Sequence, residues 1–162
     1  KLVEKLGLQA LRDLSGMRKK EGALLAQELL SRLKAIGALK QQVAERAPFV
    51  SQESFVRMKE RVKKLLNGEI PDIPRLHQEL AVYADRGDIT EELVRLDAHM
   101  VQFQQIVHSA QPAGKTLDFL IQEMGREMNT IGSKGSDAPI AAAVVQMKAE
   151  LERIREQVQN VE

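Results

Sequence analysis

Two groups of side chains have the types and the spacing for phosphodiester chemistry. The first is Asp88, Glu92, Arg95 and His99, separated by four, three and four residues. On a helix that rhythm sets them in a single stripe. Glu92 would supply a base or a metal ligand, Arg95 a phosphate clamp, and His99 a proton donor or acceptor near neutral pH. The second group is Asp118, Glu123 and Glu127. Cleavage supported by Mg2+ or Mn2+ needs two or more carboxylates near the scissile phosphate. Glu91 or Glu92 from the other helix is placed in the pattern to complete such a set, with Asp88, Glu91 and Asp118 as metal-ligand candidates.

The same residues have a plain structural reading. Asp88 followed by Glu91 opens a helix as a capping box does. Glu92 with Arg95 is an ordinary one-turn pair. Arg95, Arg126 and Lys134 neutralise the carboxylates equally well in a salt-bridge network that does no chemistry.

The elements that must hold these groups are helical. Leu117, Leu120, Ile121, Met124, Met128 and Ile131 recur at helical spacing. Glu123 and Glu127 then fall on one flank of that stripe, Asp118 and Asn129 on the other, and Arg126 nearly opposite. Gly132-Ser133-Lys134-Gly135-Ser136 reads as a loop before a helix capped by Asp137, with Pro139 in its first turn. Small residues with free backbone donors can bind phosphate, but Walker spacing is absent. Residues 17–47 read as one long helix, with Leu25, Leu29, Leu33, Ile36, Leu39 and Val43 on one face, that Pro48 ends. Phe55, Met58, Val62 and Leu65 line the next helix, whose Arg57, Arg61 and Lys64 share a basic face flanked by Lys59 and Lys63. Leu76, Leu80 and Tyr83 mark a short helix ending at Gly87. Ile89, Leu93, Leu96, Met100, Phe103 and Val107 form a heptad seam, and Ile140, Val144, Met147, Leu151, Ile154, Val158 and Val161 form another. The expected fold is therefore an all-α bundle of long amphipathic helices with coiled-coil-like seams. It forms one helical domain over residues 1–162, with flexible breaks near 68–74 and 110–115. The long N-terminal helix is the expected partner of the seams.

Composition narrows the function. An apolar content of 43% in 162 residues supports a real core. A net charge of +1 gives no global attraction to nucleic acid or anionic membrane, so a basic surface must be local. The chain has no Cys, which excludes disulfide partners, thiolate metal sites and Cys nucleophiles, and it fits a reducing, cytoplasmic setting. No apolar run approaches the roughly 20 residues of a membrane span, so no membrane partner is expected. Four Phe, one Tyr and no Trp are too few for a base-stacking sheet, so RNA would be gripped by its backbone.

The order of several short pieces resembles the YicC/YloC family of bacterial endoribonucleases. The pieces are LDF at 117–119, QE at 122–123, RE at 126–127, NT at 129–130, SK at 133–134 and REQVQN at 155–160. Upstream, EG at 21–22, RLHQE at 75–79 and DITEELVRLDAH at 88–99 also fit. Gly125 and Thr116 depart from the family pattern, which usually has Asn and a basic residue there. The resemblance implies an endoribonuclease supported by divalent metal and a homohexamer around a channel that admits RNA. It adds Lys134 to the phosphate contacts, and it implies that this chain, opening on Lys1, is the C-terminal half of a longer protein. Glu92, His99, Glu123 and Glu127 are then the catalytic candidates, and Arg95, Arg126, Lys134, Arg57, Arg61 and Lys64 the RNA-phosphate contacts. Two other readings stand beside this one. In one, the seams build an oligomer and catalysis lies in the N-terminal half. In the other, the Arg57–Lys64 face binds RNA without cutting it.

Overall fold

Leu, Ala, Glu, Lys, Gln and Arg dominate the chain, and these are strong helix formers. A computed structural model describes residues 2–65, 73–109 and 114–159. Among them it has five α-helices and no strand: α1 (Leu2–Leu65), α2 (Ile73–Gly87), α3 (Thr90–Val107), α4 (Gly114–Lys134) and α5 (Ala138–Val158). The expected all-α class is what the chain adopts. The breaks foreseen near 68–74 and 110–115 fall mostly on residues 66–72 and 110–113, outside the described residues, and Val161 of the last seam also lies outside them.

The core lies where α5 meets α1 and α4, and where α3 meets α4 and α1. Ile140, Val144, Met147, Leu151, Ile154 and Val158 bury the whole seam of α5. On α3 the seam is fully buried at Ile89, Leu96 and Phe103 and half-buried at Leu93, Met100 and Val107. The long helix answers with Leu29, Leu33, Ile36, Val43 and Val50. Each such side chain contributes about 1.5–3 kcal/mol by leaving water.

The proline does not end the long helix. α1 runs through Pro48 for 64 residues, about 96 Å at the helical rise, so the two helices expected on either side of Pro48 are one. Proline lacks the N–H that would bond Ala44 O, a loss of about 3 kcal/mol in a helix interior. Burial of Val43 and Val50 on both sides of Pro48 offsets that loss. So does a strap outside the core: Arg46 Nη1 and Nη2 donate to Glu53 Oε1 and Oε2 at 2.8 and 2.9 Å, spanning the proline.

The first third of α1 lies off the core. Val3, Leu6, Leu14, Met17 and Leu24 fall in one narrow stripe at helical spacing, and each is more than half exposed. A long apolar stripe of this kind asks for a partner surface.

Candidate active site

α3 and α4 run antiparallel, and their polar margins meet. Arg95 Nε donates to Glu127 Oε1 at 2.9 Å, and Lys134 Nζ donates to Glu92 Oε1 at 2.8 Å. The two groups of chemistry-bearing residues therefore meet within one chain through Arg95 and Glu127, with Lys134 joining at Glu92. Arg95 also pairs through Nη1 with Glu91, and through Nη2 with Glu92 Oε1 at 3.4 Å. Lys134 reaches further, donating to the backbone carbonyl of Asp88 at 3.1 Å.

Burial divides the members sharply. The Glu92 side chain is 3% exposed and that of Glu127 10%, whereas those of Arg95 and Lys134 are 42% and 33% exposed. The result is two sunken carboxylates beneath two cations that face solvent. Glu92 Oε2 is buried with no hydrogen-bond partner, although its twin Oε1 has two cations. A buried orphan oxygen carries a desolvation cost that a donor would relieve. The hydrogen bond that Arg95 donates to Glu127 is the main reason the guanidinium holds its proton more tightly than usual.

Asp88 acts one position earlier than a cap. It accepts from the backbone N–H of Thr90 at 2.8 Å, while Ile89 occupies the cap position of α3. Hydrogen bonding from Thr90, first from its side chain and then from this backbone N–H, holds the Asp88 carboxyl below its ordinary range, with Lys134 adding a smaller pull. His99 is half-buried one turn beyond Arg95. Continuing the antiparallel register one turn sets it level with Glu123. Glu123 itself accepts from Arg126 Nη1 at 2.7 Å, and Arg126 is 72% exposed, turned away from the α3–α4 seam.

The metal-ligand candidates are not brought together. Asp118 accepts from Gln122 on its own helix and lies about 14 Å along the axis of α4 from Glu127. Among the described residues no three His, Asp or Glu side chains stand close enough to hold a metal ion. The donors among the described residues do not make a Mg2+ or Mn2+ site within one protomer.

The expected Gly/Ser/Lys loop is shorter than its composition suggests. Gly132, Ser133 and Lys134 complete α4, because Gly132 packs on α5 where a Cβ would sit 3.2 Å from Val144 Cγ1. The remaining N–H groups are occupied: Gly135 N donates to Ile131 O at 2.8 Å, Ser136 N to Lys134 O at 2.9 Å, and Asp137 N to Gly135 O. A backbone phosphate cradle is thereby ruled out there, and the Lys134 ammonium carries what anion affinity the turn has. Asp137 caps α5 as expected, accepting from Ile140 N at 3.2 Å, with proline in the first turn.

Arg57, Arg61 and Lys64 lie on α1 beyond Pro48, and Arg57 Nη1 stands 3.6 Å from Glu53 Oε2. Arg57 Nη2 donates to Ser54 Oγ at 2.9 Å. Sequence reasoning missed what stands next to Ser54. A pocket of about 290 Å³ opens there, lined by Phe55 of α1, Tyr83 and Arg86 of α2, and Lys134. Nothing local in the sequence links these residues, which lie on three different helices.

Residues 43–162 match the family described as "Endoribonuclease YicC-like, C-terminal". The chain is 42% identical over 154 residues to "Probable endoribonuclease YicC" of Clostridioides difficile (strain 630), covering 94% of this chain and 53% of that protein. It is 36% identical over 152 residues to the protein of the same name in Haemophilus influenzae, covering 94% and 52%. The chain thus spans about half the length of the curated relatives it matches. With the match extending across the whole α3–α4 network, the chain belongs to the YicC-like endoribonuclease family, and it carries that family's C-terminal region.

Proposed function

We propose that this chain is part of an endoribonuclease and that the α3–α4 network is where RNA is cut. One observation carries the reading: Arg95 and Lys134, both partly exposed, lie over the sunken carboxylates of Glu127 and Glu92. An arriving phosphate competes with the carboxylates for the two cations and is neutralised by them. Glu127, relieved of Arg95, then takes the proton of the attacking hydroxyl as the O–P bond forms. His99 gives a proton to the departing 5′-oxygen as its bond to phosphorus breaks. A product ending in 2′,3′-cyclic phosphate identifies the ribose 2′-OH as the attacking group; cleavage that survives 2′-O-methylation identifies water. The relatives' names support the substrate class.

The reading includes a homo-oligomer, a hexamer by the resemblance. The exposed stripe of Val3, Leu6, Leu14, Met17 and Leu24 supports such assembly, since a lone protomer leaves it in water. The implied Mg2+ or Mn2+ belongs to this proposal only as an ion with donors outside the described residues or on a neighbouring copy. No step above runs through it.

The test is cleavage of a structured RNA by the longer protein and by the 162-residue chain, with and without chelator. Glu127→Gln should stop cleavage by the competent form while leaving its assembly unchanged by sedimentation. Loss of the assembly together with cleavage would favour the oligomerisation reading instead.

A further inference from the structure

The pocket beside Lys134 has a chemistry of its own. Its volume of about 290 Å³ is at the small end for ligand sites, the size for one compact group. Phe55 and Tyr83 contribute aromatic faces from two helices and are 43% and 45% exposed. Aliphatic side chains including the buried Ile140 back them. Among the described residues, the charged ones lining the pocket are Arg86 and Lys134, both cationic, and no carboxylate lines it. A purely apolar ligand has no use for two cations, and a bare anion has no use for two aromatic faces. A planar aromatic group bearing a phosphate satisfies both.

We infer that this pocket is a nucleotide subsite: one RNA base stacks on Tyr83 and Phe55 while its phosphate meets Arg86 and Lys134. The inference rests on the ribonuclease reading and deepens it. Lys134 belongs to both places, lining the pocket while its ammonium sits on Glu92. A base held there flanks the phosphate that enters the carboxylate network, so the pocket reads the nucleotide next to the cut. From Ser54 at the pocket wall, Arg57, Arg61 and Lys64 follow one another along one face of α1, a cationic track for the strand to leave by. On this inference one stacked base joins the backbone grip expected from the low aromatic content. The chain has few aromatics, but two of them line one pocket.

The experiment measures calorimetric binding of a 2′-O-methylated trinucleotide to the 162-residue chain. The same backbone without bases, and inorganic phosphate, serve as controls. Tyr83 is the one Tyr in a chain without Trp, so its fluorescence reports stacking directly. The trinucleotide should quench Tyr83 and bind at least ten-fold more tightly than either control. Tyr83→Ala should weaken binding by about five- to hundred-fold, the range for one stacked base, while Tyr83→Phe should bind as the parent does. Both aromatic side chains are exposed enough that their removal leaves the core intact. Equal affinity for the base-free backbone, or unchanged binding in the Tyr83→Ala, Phe55→Ala double variant, overturns the subsite. Base-dependent binding by a protein that never cuts RNA keeps the subsite and removes the ribonuclease reading. Cutting by Tyr83→Ala with unaltered KM and unaltered base preference keeps the ribonuclease and removes the subsite.

Discussion

Lys134 Nζ stands 2.8 Å from Glu92 Oε1, joining the last turn of α4 to the first turn of α3. Glu92 is the more deeply buried member, so the pair is asymmetric. Removing the cation strands a carboxylate in the core, whereas removing the carboxylate leaves a lysine free to turn outward. Lys134→Met should therefore destabilise the fold by about 2 kcal/mol, less than a fully buried pair because Lys134 is one-third exposed. Adding Glu92→Gln should recover most of that loss. Urea unfolding of the two single variants and the double variant checks this. Equal losses in all three would show that burial of Glu92 is not what makes the pair matter.

Arg95 faces Glu91, Glu92 and Glu127 through three different nitrogens. Lysine has the charge but not the fork. Arg95→Lys should retain one of these contacts and fold close to normally. RNA cleavage by the competent protein should fall about ten-fold or more, since a point charge cannot hold a phosphate and release Glu127 together. Arg95→Ala should lose both stability and cleavage. Melting temperature read beside the cleavage rate separates the two effects; a fully active Arg95→Lys would remove Arg95 from the reaction.

Much of this fold can be read from period alone. The seams of α3 and α5 stand out because one face of each helix is apolar along its length, and packing buries that face. Pro48 misleads because the rule against interior proline is local, whereas Val43, Val50 and the Arg46–Glu53 strap act from outside the broken turn. Gly132-Ser133-Lys134 misleads in the opposite direction: glycine reads as a turn, yet at Gly132 it lets α5 approach α4. For the site, residue types and stripes were legible, and the partners were not. Arg95 meeting Glu127 depends on the register between two helices, which no spacing within either one encodes. Phe55 and Tyr83 are further from view, being isolated aromatics until α1 and α2 pack.

Glycines at two places in this chain should respond oppositely to the same change. At Gly135 an added Cβ would lie 2.8 Å from Ile131 O and 2.8 Å from Ile140 Cγ2, and the first of these is backbone that cannot step aside. Gly135→Ala should destabilise by about 1–3 kcal/mol and disturb Lys134 next to it. At Gly7, on the exposed arm of α1, nothing lies within 4 Å. Gly7→Ala should stabilise the helix by up to about 1 kcal/mol through backbone entropy alone. Thermal melts of both variants provide the check, and a neutral Gly135→Ala would mean the α4–α5 turn yields easily.

Arg46 ties two places together: Glu53 across the proline, and Asp137 at the cap of α5, which accepts from Arg46 Nη2 at 2.9 Å. Its hydrogen bonds are the main cause holding both carboxyls below their ordinary range, against a smaller opposing effect of burial. Carboxyls depressed in the folded state give stability that is fully present above their unfolded values. The unfolded chain takes up protons first as pH falls through about 4, and stability is lost from there down to the folded values. Arg46→Met removes the cause, so its unfolding free energy should fall less steeply than the parent's between about pH 5 and about pH 3, roughly one unit either side of the unfolded carboxyl value. Asp137→Asn isolates one arm, because asparagine caps a helix nearly as well as aspartate while lacking the charge. It should remove only part of the slope, leaving Glu53 and Asp88 to titrate. A parent and an Arg46→Met variant with parallel acid limbs would place the acid sensitivity of this fold elsewhere than at the strap over Pro48.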